Sequence, residues 1–419
     1  MGYCAVLDVR PEPETYKTQR KGRLLTMKEK LIMKALAAWA LVAGLVSLPA
    51  GASAAEPALT GQLQGVLNQV VSSSSDHLGV LASIDAPRIH LNWSGAAGTI
   101  ARNSNVALRP NQPFRIASVT KVFVAAAVFR LIEEGKLSLY DPIIEHISPE
   151  TAKVLESGGY DPKIISVAQL LGMTSGLGDF GPNPEYLRAV REHWRDHKRW
   201  TRLDQIKFTV QYEKKVGDPG ERYYYSDTGY IILGEIIQRV SGEQMAAYVR
   251  QSLDFAGLHL NSTYWEILEP TPQDSPPRAH QYWGRIDITN LDYTLDLWGG
   301  GGIISTTGDL NRFFRALLTG QLFKQRSTLP MSLLPDQPQI PMRRPGALML
   351  DTQKLGSHEC YAHWGYWGTV SMYCPDIDVA VTSTIDQDMD DQAHNSYANQ
   401  MKLLNGLASA LDTALHDRQ

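Results

Sequence analysis

The stretch Phe114-Arg-Ile-Ala-Ser118-Val-Thr-Lys121-Val-Phe-Val-Ala-Ala-Ala-Val-Phe-Arg-Leu-Ile-Glu-Glu-Gly135 decides how this chain reads. The apolar residues after Lys121 are too dense for a surface helix, so the pattern predicts a buried helix ending near Gly135. Ser118 and Lys121 stand three residues apart, which on a helix puts both side chains on one face. A serine hydroxyl is a weak nucleophile at neutral pH, and a desolvated neutral lysine one turn away can take its proton during attack. Complete burial can lower a lysine pKa by roughly 3–5 units, and that is the expectation for Lys121 at the head of such a helix. The motif alone recurs by chance, so its weight rests on what surrounds it.

Outward from this stretch, Leu59 to Ser73 has helical spacing, and Gly79 to Ile84 with Arg88 to Trp93 reads as a strand hairpin. Ile165 to Leu177 reads as a helix leading into a glycine-marked loop, residues 180–216 as polar and irregular, and Tyr230 to Val240 as an apolar helix closed by Ser241-Gly242. After Gly299-Gly-Gly-Gly302, Ser305 or Thr306 can cap a helix running through Leu318. Residues 327–346 hold five prolines and read as a loop. Strands over His363 to Cys374 and Asp378 to Thr384 precede a closing helix, Ser396 to His416. The expectation is an α+β fold: an antiparallel sheet built from both chain ends, flanked by helices, with an inserted mainly helical region.

The first 54 residues read as targeting sequence. Lys28, Lys30 and Lys34 give a basic start, Ala35 to Leu48 an apolar run short of the about 20 residues a membrane span needs, and Ala52-Ser-Ala54 a small-residue cleavage site. Met27 or Met33 reads as the initiator. The expected mature domain is then 55–419, periplasmic or secreted, with no stable membrane span after cleavage. A net charge of −4 and no basic run in that domain argue against a nucleic-acid partner. Cys4 falls in the discarded segment, which leaves Cys360 and Cys374 for an oxidising compartment. If 359–374 is a hairpin turning around Tyr366-Trp-Gly368, the two cysteines fall opposite each other and can pair.

Three further features bear on chemistry. Tyr223-Tyr-Tyr225-Ser-Asp227 precedes a helix, where the tyrosines can pack and Asp227 can act as a cap. His363 opens a strand-like run beside Trp364, Tyr366 and Trp367, aromatics that can wall a pocket or pack the sheet. His193-Trp-Arg-Asp-His197 has zinc-helix spacing but lacks the glutamate after the first histidine and sits among basic residues, so it reads as solvated surface.

Taken in order, Phe-Arg-Ile-Ala-Ser-x-Thr-Lys, then Leu170-Leu171-x-x-Thr174-Ser175-Gly176-Leu177, then Tyr-Ser-Asp-Thr-Gly-Tyr, then Gly301-Gly302-x-x-Ser305-Thr306-x-x-Asp309-Leu310, then His-x-Gly resembles the serine β-lactamase and penicillin-binding superfamily. The similarity is to the branch holding class C β-lactamases, D-alanyl-D-alanine carboxypeptidases, D-aminopeptidases and esterases, over about residues 60–412. It implies Ser118 as acylated nucleophile, Lys121 as its activating partner and Tyr225 as proton relay. By the same resemblance His363 takes the place of the third motif's cation, and Gly365 lets substrate backbone lie close. The resemblance also points to the N–H groups of Ser118 and Tyr366 for the oxyanion hole. No metal or other cofactor is implied.

Two departures qualify this. Asp227 replaces the commoner asparagine; its carboxylate favours charged Lys121, which shifts base duty toward Tyr225. His363 replaces the commoner lysine and binds a substrate carboxylate only when protonated, which argues against efficient penicillin hydrolysis at neutral pH. The expected function is a serine hydrolase of amide or ester bonds, of D-alanyl-D-alanine carboxypeptidase type, with a small peptide, amide or ester substrate, cell-wall peptide among them. The alternatives are an esterase or weak β-lactamase of the same family and, from another class, a non-catalytic penicillin-recognising sensor.

Overall fold

Leu59, Leu63, Leu67 and Val70 recur every three to four residues and form the buried face of helix α1 (Ala55–Ser72) in a computed structural model of the chain. The structure describes residues 55–73, 79–193, 198–283, 286–333, 348–385 and 393–416. The expected export segment within 1–54 lies outside them, and none of the described helices is long and apolar enough to cross a membrane.

Strands β1 (Gly79–Ala86) and β2 (Leu91–Gly98) make the expected hairpin. The second strand starts at Leu91 because Pro87–Ile89 closes a 3-10 turn and His90 takes the left-handed conformation. Short β3 (Phe114–Arg115) leads through a 3-10 turn, Ala117–Val119, into α2 (Thr120–Glu133), buried from Thr120 to Leu131. The helical region continues with α3 (Pro149–Ser157), α4 (Val167–Leu171), α5 (Pro184–His193), α6 (Arg202–Tyr212), α7 (Asp227–Ser241) and α8 (Met245–Ser252). Then come β4 (Tyr264–Trp265), β5 (Tyr282–Trp283), β6 (Ile286–Asp287), β7 (Ile303–Ser305), α9 (Thr307–Leu318) and α10 (Thr328–Leu333). The chain returns through β8 (Asp351–Leu355), β9 (His358–Gly365), β10 (Thr369–Cys374), β11 (Val379–Ile385) and α11 (Ala393–His416).

Both chain ends build one antiparallel sheet, in the order β2-β1-β11-β10-β9-β8. Side chains alternate faces along each strand, which separates two cores. Val80, Ala82, Ile84, Val370 and Met372 pack with α1 and α11 (Leu63, Leu67, Leu403, Leu407), while Leu81, Tyr373 and Ala380 face α9 and α2 (Phe313, Phe314, Phe123). A second small sheet, β3-β7-β4, sits at the entrance to α2.

Three expectations are corrected. Residues 180–216 are not irregular: α5 buries Tyr186 and Val190, and α6 starts at a capping box between Thr201 and Asp204. Their charged outer faces hide two amphipathic helices of only a few turns. The 327–346 segment opens with α10, its remainder from 334 lying outside the described residues. β8, Asp-Thr-Gln-Lys-Leu, was not expected to be a strand; as an edge strand it keeps polar residues where an inner strand needs apolar ones.

The β9–β10 turn falls at Tyr366-Trp-Gly368, as the hairpin reading expected, and Cys360 and Cys374 are bonded one pair beyond Tyr361 and Tyr373. A cross-link 14 residues apart removes unfolded-state freedom worth roughly 2–3 kcal/mol. Reduction, or the double variant Cys360→Ala/Cys374→Ala, is expected to lower stability by about that amount. Denaturant titration of oxidised against reduced protein checks it, and coincident midpoints would refute it.

Candidate active site

The turn that presents Ser118 is held from three sides. The Ile116 N–H donates to the Ile303 carbonyl (3.1 Å), extending the β3–β7 pairing to the residue before the turn. Buried Arg115 forms an ion pair with Glu266 (2.7 Å), lies 4.1 Å from the Tyr293 ring and donates to the carbonyls of Ile288 and Leu291, so the turn and the facing wall are set together. Ala117 adopts φ +46°, a left-handed conformation that costs a non-glycine residue of order 1 kcal/mol and is kept where packing over-determines it. On the third side a Cβ at Gly365 would meet the Ile116 carbonyl oxygen at 2.3 Å. The glycine therefore lets β9 dock on the nucleophile turn, where the resemblance had implied room for substrate backbone.

Ser118 Oγ accepts hydrogen bonds from Lys121 Nζ (3.1 Å) and from the Tyr225 hydroxyl (2.9 Å). Lys121, 0 % exposed, also donates to the Gly300 carbonyl (2.6 Å) and pairs with Asp227 Oδ1 (2.5 Å). Two hydrogen bonds and one close ion pair thus surround the ammonium. Burial by itself would push the Lys121 pKa down, but Asp227, Tyr225 and Asp296 outweigh it and hold the amine above its ordinary value. The expectation of a lowered lysine pKa is overturned: Lys121 is a buried cation. Tyr225 is no free base either, because burial raises its phenol despite the neighbouring ammonium.

Asp227 is the first residue of α7, not its cap. Ser226 caps the helix, accepting from the Gly229 N–H and donating to the Gly178 carbonyl (2.8 Å). The Leu-Leu-x-x-Thr-Ser-Gly-Leu segment anchors this approach: the carbonyls of Met173, Thr174 and Gly176 accept from the N–H groups of Tyr224, Gly220 and Val216. Thr306 caps α9, and buried Asp309 binds the Thr263 hydroxyl, so the fourth motif is structural.

Two carboxyls near Lys121 were missed. Asp179, buried, accepts through Oδ1 from the N–H groups of Asp227 (3.0 Å) and Gly181 (3.2 Å). Burial and the charge of Asp227 raise its pKa well above the carboxylate range. Asp296 is pushed to about 7 by burial and by Asp227, against the opposing pull of Lys121. A Cβ at Gly301 would stand 2.1 Å from the Asp296 carboxylate, so the glycine run makes room for this acid. The available sequence signals were weak: Asp179 lies between Gly178 and Phe180, and Asp296 four residues before Gly300.

A cavity of about 600 Å³ opens over Ser118. Tyr186, Trp283, Tyr293, Trp364, Tyr366 and Trp367 supply its aromatic wall, so the pocket reading of the β9 aromatics holds for this geometry. His363, also on the lining, has Nδ1 2.7 Å from the Trp364 carbonyl. Ser118, in the 3-10 turn, and Tyr366, in the β9–β10 turn, both border the cavity. His193 ends α5, but 194–197 lie outside the described residues, so the His193/His197 spacing has no described geometry.

An acid whose pKa is higher folded than unfolded binds its proton more tightly in the folded state, so stability falls as pH rises between the two values. For Asp296 the window runs from about 4 to about 7, and the cost is full above it. Asp296→Asn is therefore expected to stabilise the protein at pH 8 by on the order of 2 kcal/mol and by clearly less at pH 5. Urea titrations of both proteins at the two pH values check this, and an equal gain at both would refute it.

Comparison with known proteins agrees with this architecture. A 24 % identical putative D-alanyl-D-alanine carboxypeptidase of Escherichia coli O157:H7 aligns over 75 % of this chain and 79 % of its own. Penicillin-binding protein 4* of Bacillus subtilis is 28 % identical over 52 % of this chain, which spans about half (48 %) of that relative's length. The solved D-amino acid amidase of Ochrobactrum anthropi SV3 shares the fold, with a TM-score of 0.70 at 21 % identity, covering 84 % of this chain and 99 % of its own. The Beta-lactamase family model matches residues 71–401, most of the chain, and the protein belongs to that family.

Proposed function

We propose that this protein is a serine hydrolase that cleaves amide or ester bonds through an acyl-enzyme on Ser118. The observation carrying this reading is the convergence of Lys121 Nζ and the Tyr225 hydroxyl on one serine oxygen, at 3.1 and 2.9 Å, at the floor of a cavity. With lysine held as a cation and tyrosine as a phenol, activation proceeds as a relay. With the serine–tyrosine hydrogen bond turned so that Ser118 donates, Oγ bonds to the substrate carbonyl carbon as its proton passes to Tyr225 Oη. In the same concerted movement the tyrosine gives its own proton to the leaving nitrogen or oxygen, whose bond to that carbon breaks. The Lys121 ammonium stabilises negative charge developing on Oγ, and the N–H groups of Ser118 and Tyr366 receive the carbonyl oxygen. Water then attacks the ester, one of its protons returns through Tyr225 to Ser118 Oγ, and the acid is released.

The charge of the cavity bears on the substrate. Its described lining carries Asp179, Asp227 and Asp296 but no lysine or arginine, which favours an amide or ester whose leaving group is uncharged. A D-alanyl-D-alanine carboxypeptidase is the second reading. It rests on the Escherichia coli relative and on His363, the basic side chain on the lining that can meet a substrate carboxylate. The disulfide supports a periplasmic or secreted location, since such bonds persist in oxidising compartments.

A fluorophosphonate probe is expected to label the protein once, at Ser118, and Ser118→Ala to abolish labelling. Tyr225→Phe is expected to lower kcat/KM on a nitrophenyl ester by about 10²–10⁴-fold, the range for a lost proton-transfer group. Labelling that survives Ser118→Ala would overturn the assignment. Release of ammonia from amino-acid amides against release of D-alanine from a D-Ala-D-Ala peptide separates the two substrate readings.

A further inference from the structure

Asp179 is only 3 % exposed, and its Oδ1 is fully used by two backbone N–H groups. Its Oδ2 has no hydrogen-bond partner among the described residues, although the residue borders the cavity. Asp227, less deeply buried, is ion-paired to Lys121 through Oδ1, and its Oδ2 meets no hydrogen-bond donor among the described residues. The space between these oxygens is kept open by Gly181, also on the lining. A Cβ there would stand 2.6 Å from Asp227 Oδ2 and 3.7 Å from Asp179 Oδ2. Two carboxyl oxygens that border one gap on the cavity lining and meet no donor among the described residues call for a ligand that brings several protons of its own.

The void is close to the reacting atoms. Ser118 Oγ and Asp227 Oδ1 both touch Lys121 Nζ, at 3.1 and 2.5 Å, so they lie no further apart than those two lengths laid end to end. In an α-amino acid amide or ester the amine nitrogen is two bonds from the carbonyl carbon that Ser118 attacks, which carries it from the serine toward the Asp227 carboxyl.

We infer that the space over Gly181, between Asp179 and Asp227, is a subsite for a free α-ammonium group, so that the substrate is an aminoacyl amide or ester with an unblocked amine. The aromatic wall of Tyr186, Trp283 and Tyr293 then receives an apolar side chain on the same residue. Burial and repulsion from Asp227 raise the pKa of the Asp179 carboxyl, and an ammonium between the two offsets that repulsion. This inference rests on the Ser118 reading for the placement of the scissile bond, but the subsite can be measured without turnover.

Calorimetric titration of the Ser118→Ala protein with phenylalaninamide and with N-acetylphenylalaninamide, each as both enantiomers, reads the subsite directly. At least one free-amine enantiomer is expected to bind ten-fold or more tighter than its acetylated counterpart. Asp179→Asn, which keeps an acceptor for both N–H groups, is expected to reduce that ratio at least five-fold in the Ser118→Ala background. Equal or tighter binding of the acetylated amides overturns the inference whether or not the second variant folds. In the parent protein, fluorophosphonate labelling with no preference between the two amides would sink the ammonium subsite and leave the serine reading standing. Loss of labelling with the binding preference intact would do the reverse.

Discussion

The buried ammonium of Lys121 is the constraint to which the surrounding structure answers. Removing such a charge from water costs several kcal/mol, and attraction offsets that only when close opposite charge and hydrogen-bond acceptors surround it. Its three partners come from distant parts of the chain. Ser118 is on the turn before the same helix, Asp227 opens α7 more than a hundred residues later, and the Gly300 carbonyl comes from the glycine run before β7. Docking α2 against α7 and β7 is thus an electrostatic requirement as well as an apolar one. Ser226 as cap, Gly365 against Ile116 and Arg115 against the opposite wall fix the three approaches.

The same site holds more negative charge than the lysine can neutralise. Asp179, Asp227 and Asp296 crowd one cation, and the carboxyls of Asp179 and Asp296 are displaced upward because burial and mutual repulsion disfavour ionising them all. An arrangement chosen for stability alone would replace at least one by an amide. Keeping them sacrifices stability for a negative potential inside an aromatic cavity, a trade characteristic of binding and reacting sites.

Much of this was legible before the fold was known. The apolar density after Lys121 gave the buried helix, the two ends of the chain gave the sheet, and the 366–368 turn put Cys360 opposite Cys374. What stayed hidden depends on geometry that no local pattern encodes. Asp179 and Asp296 belong to the site only because the loop after α4 and the segment before the glycine run close over Lys121; in sequence each is an unremarked acid near a glycine. The charge state of Lys121 was misjudged from burial alone, because burial and its countering partners have opposite signs and only distances show which prevails. α5 and α6 were missed since their polar faces dominate a short window, and β8 since an edge strand needs little apolar character.

A carboxylate beside the lysine removes it as a base, which taken alone would favour a non-catalytic relative. The geometry changes the force of that argument. Tyr225 and Lys121 contact the same serine oxygen from different directions, so the proton and the charge can be handled by separate groups. A tyrosine that receives one proton while giving up another needs no depressed pKa, only a leaving atom within reach of its hydroxyl. A lysine that stays charged throughout serves the transition state by its field, and for that role a firmly paired ammonium is an advantage, since it cannot discharge when substrate excludes water. Asp227 is then compatible with catalysis, fixing the cation with one oxygen and leaving the other to the cavity.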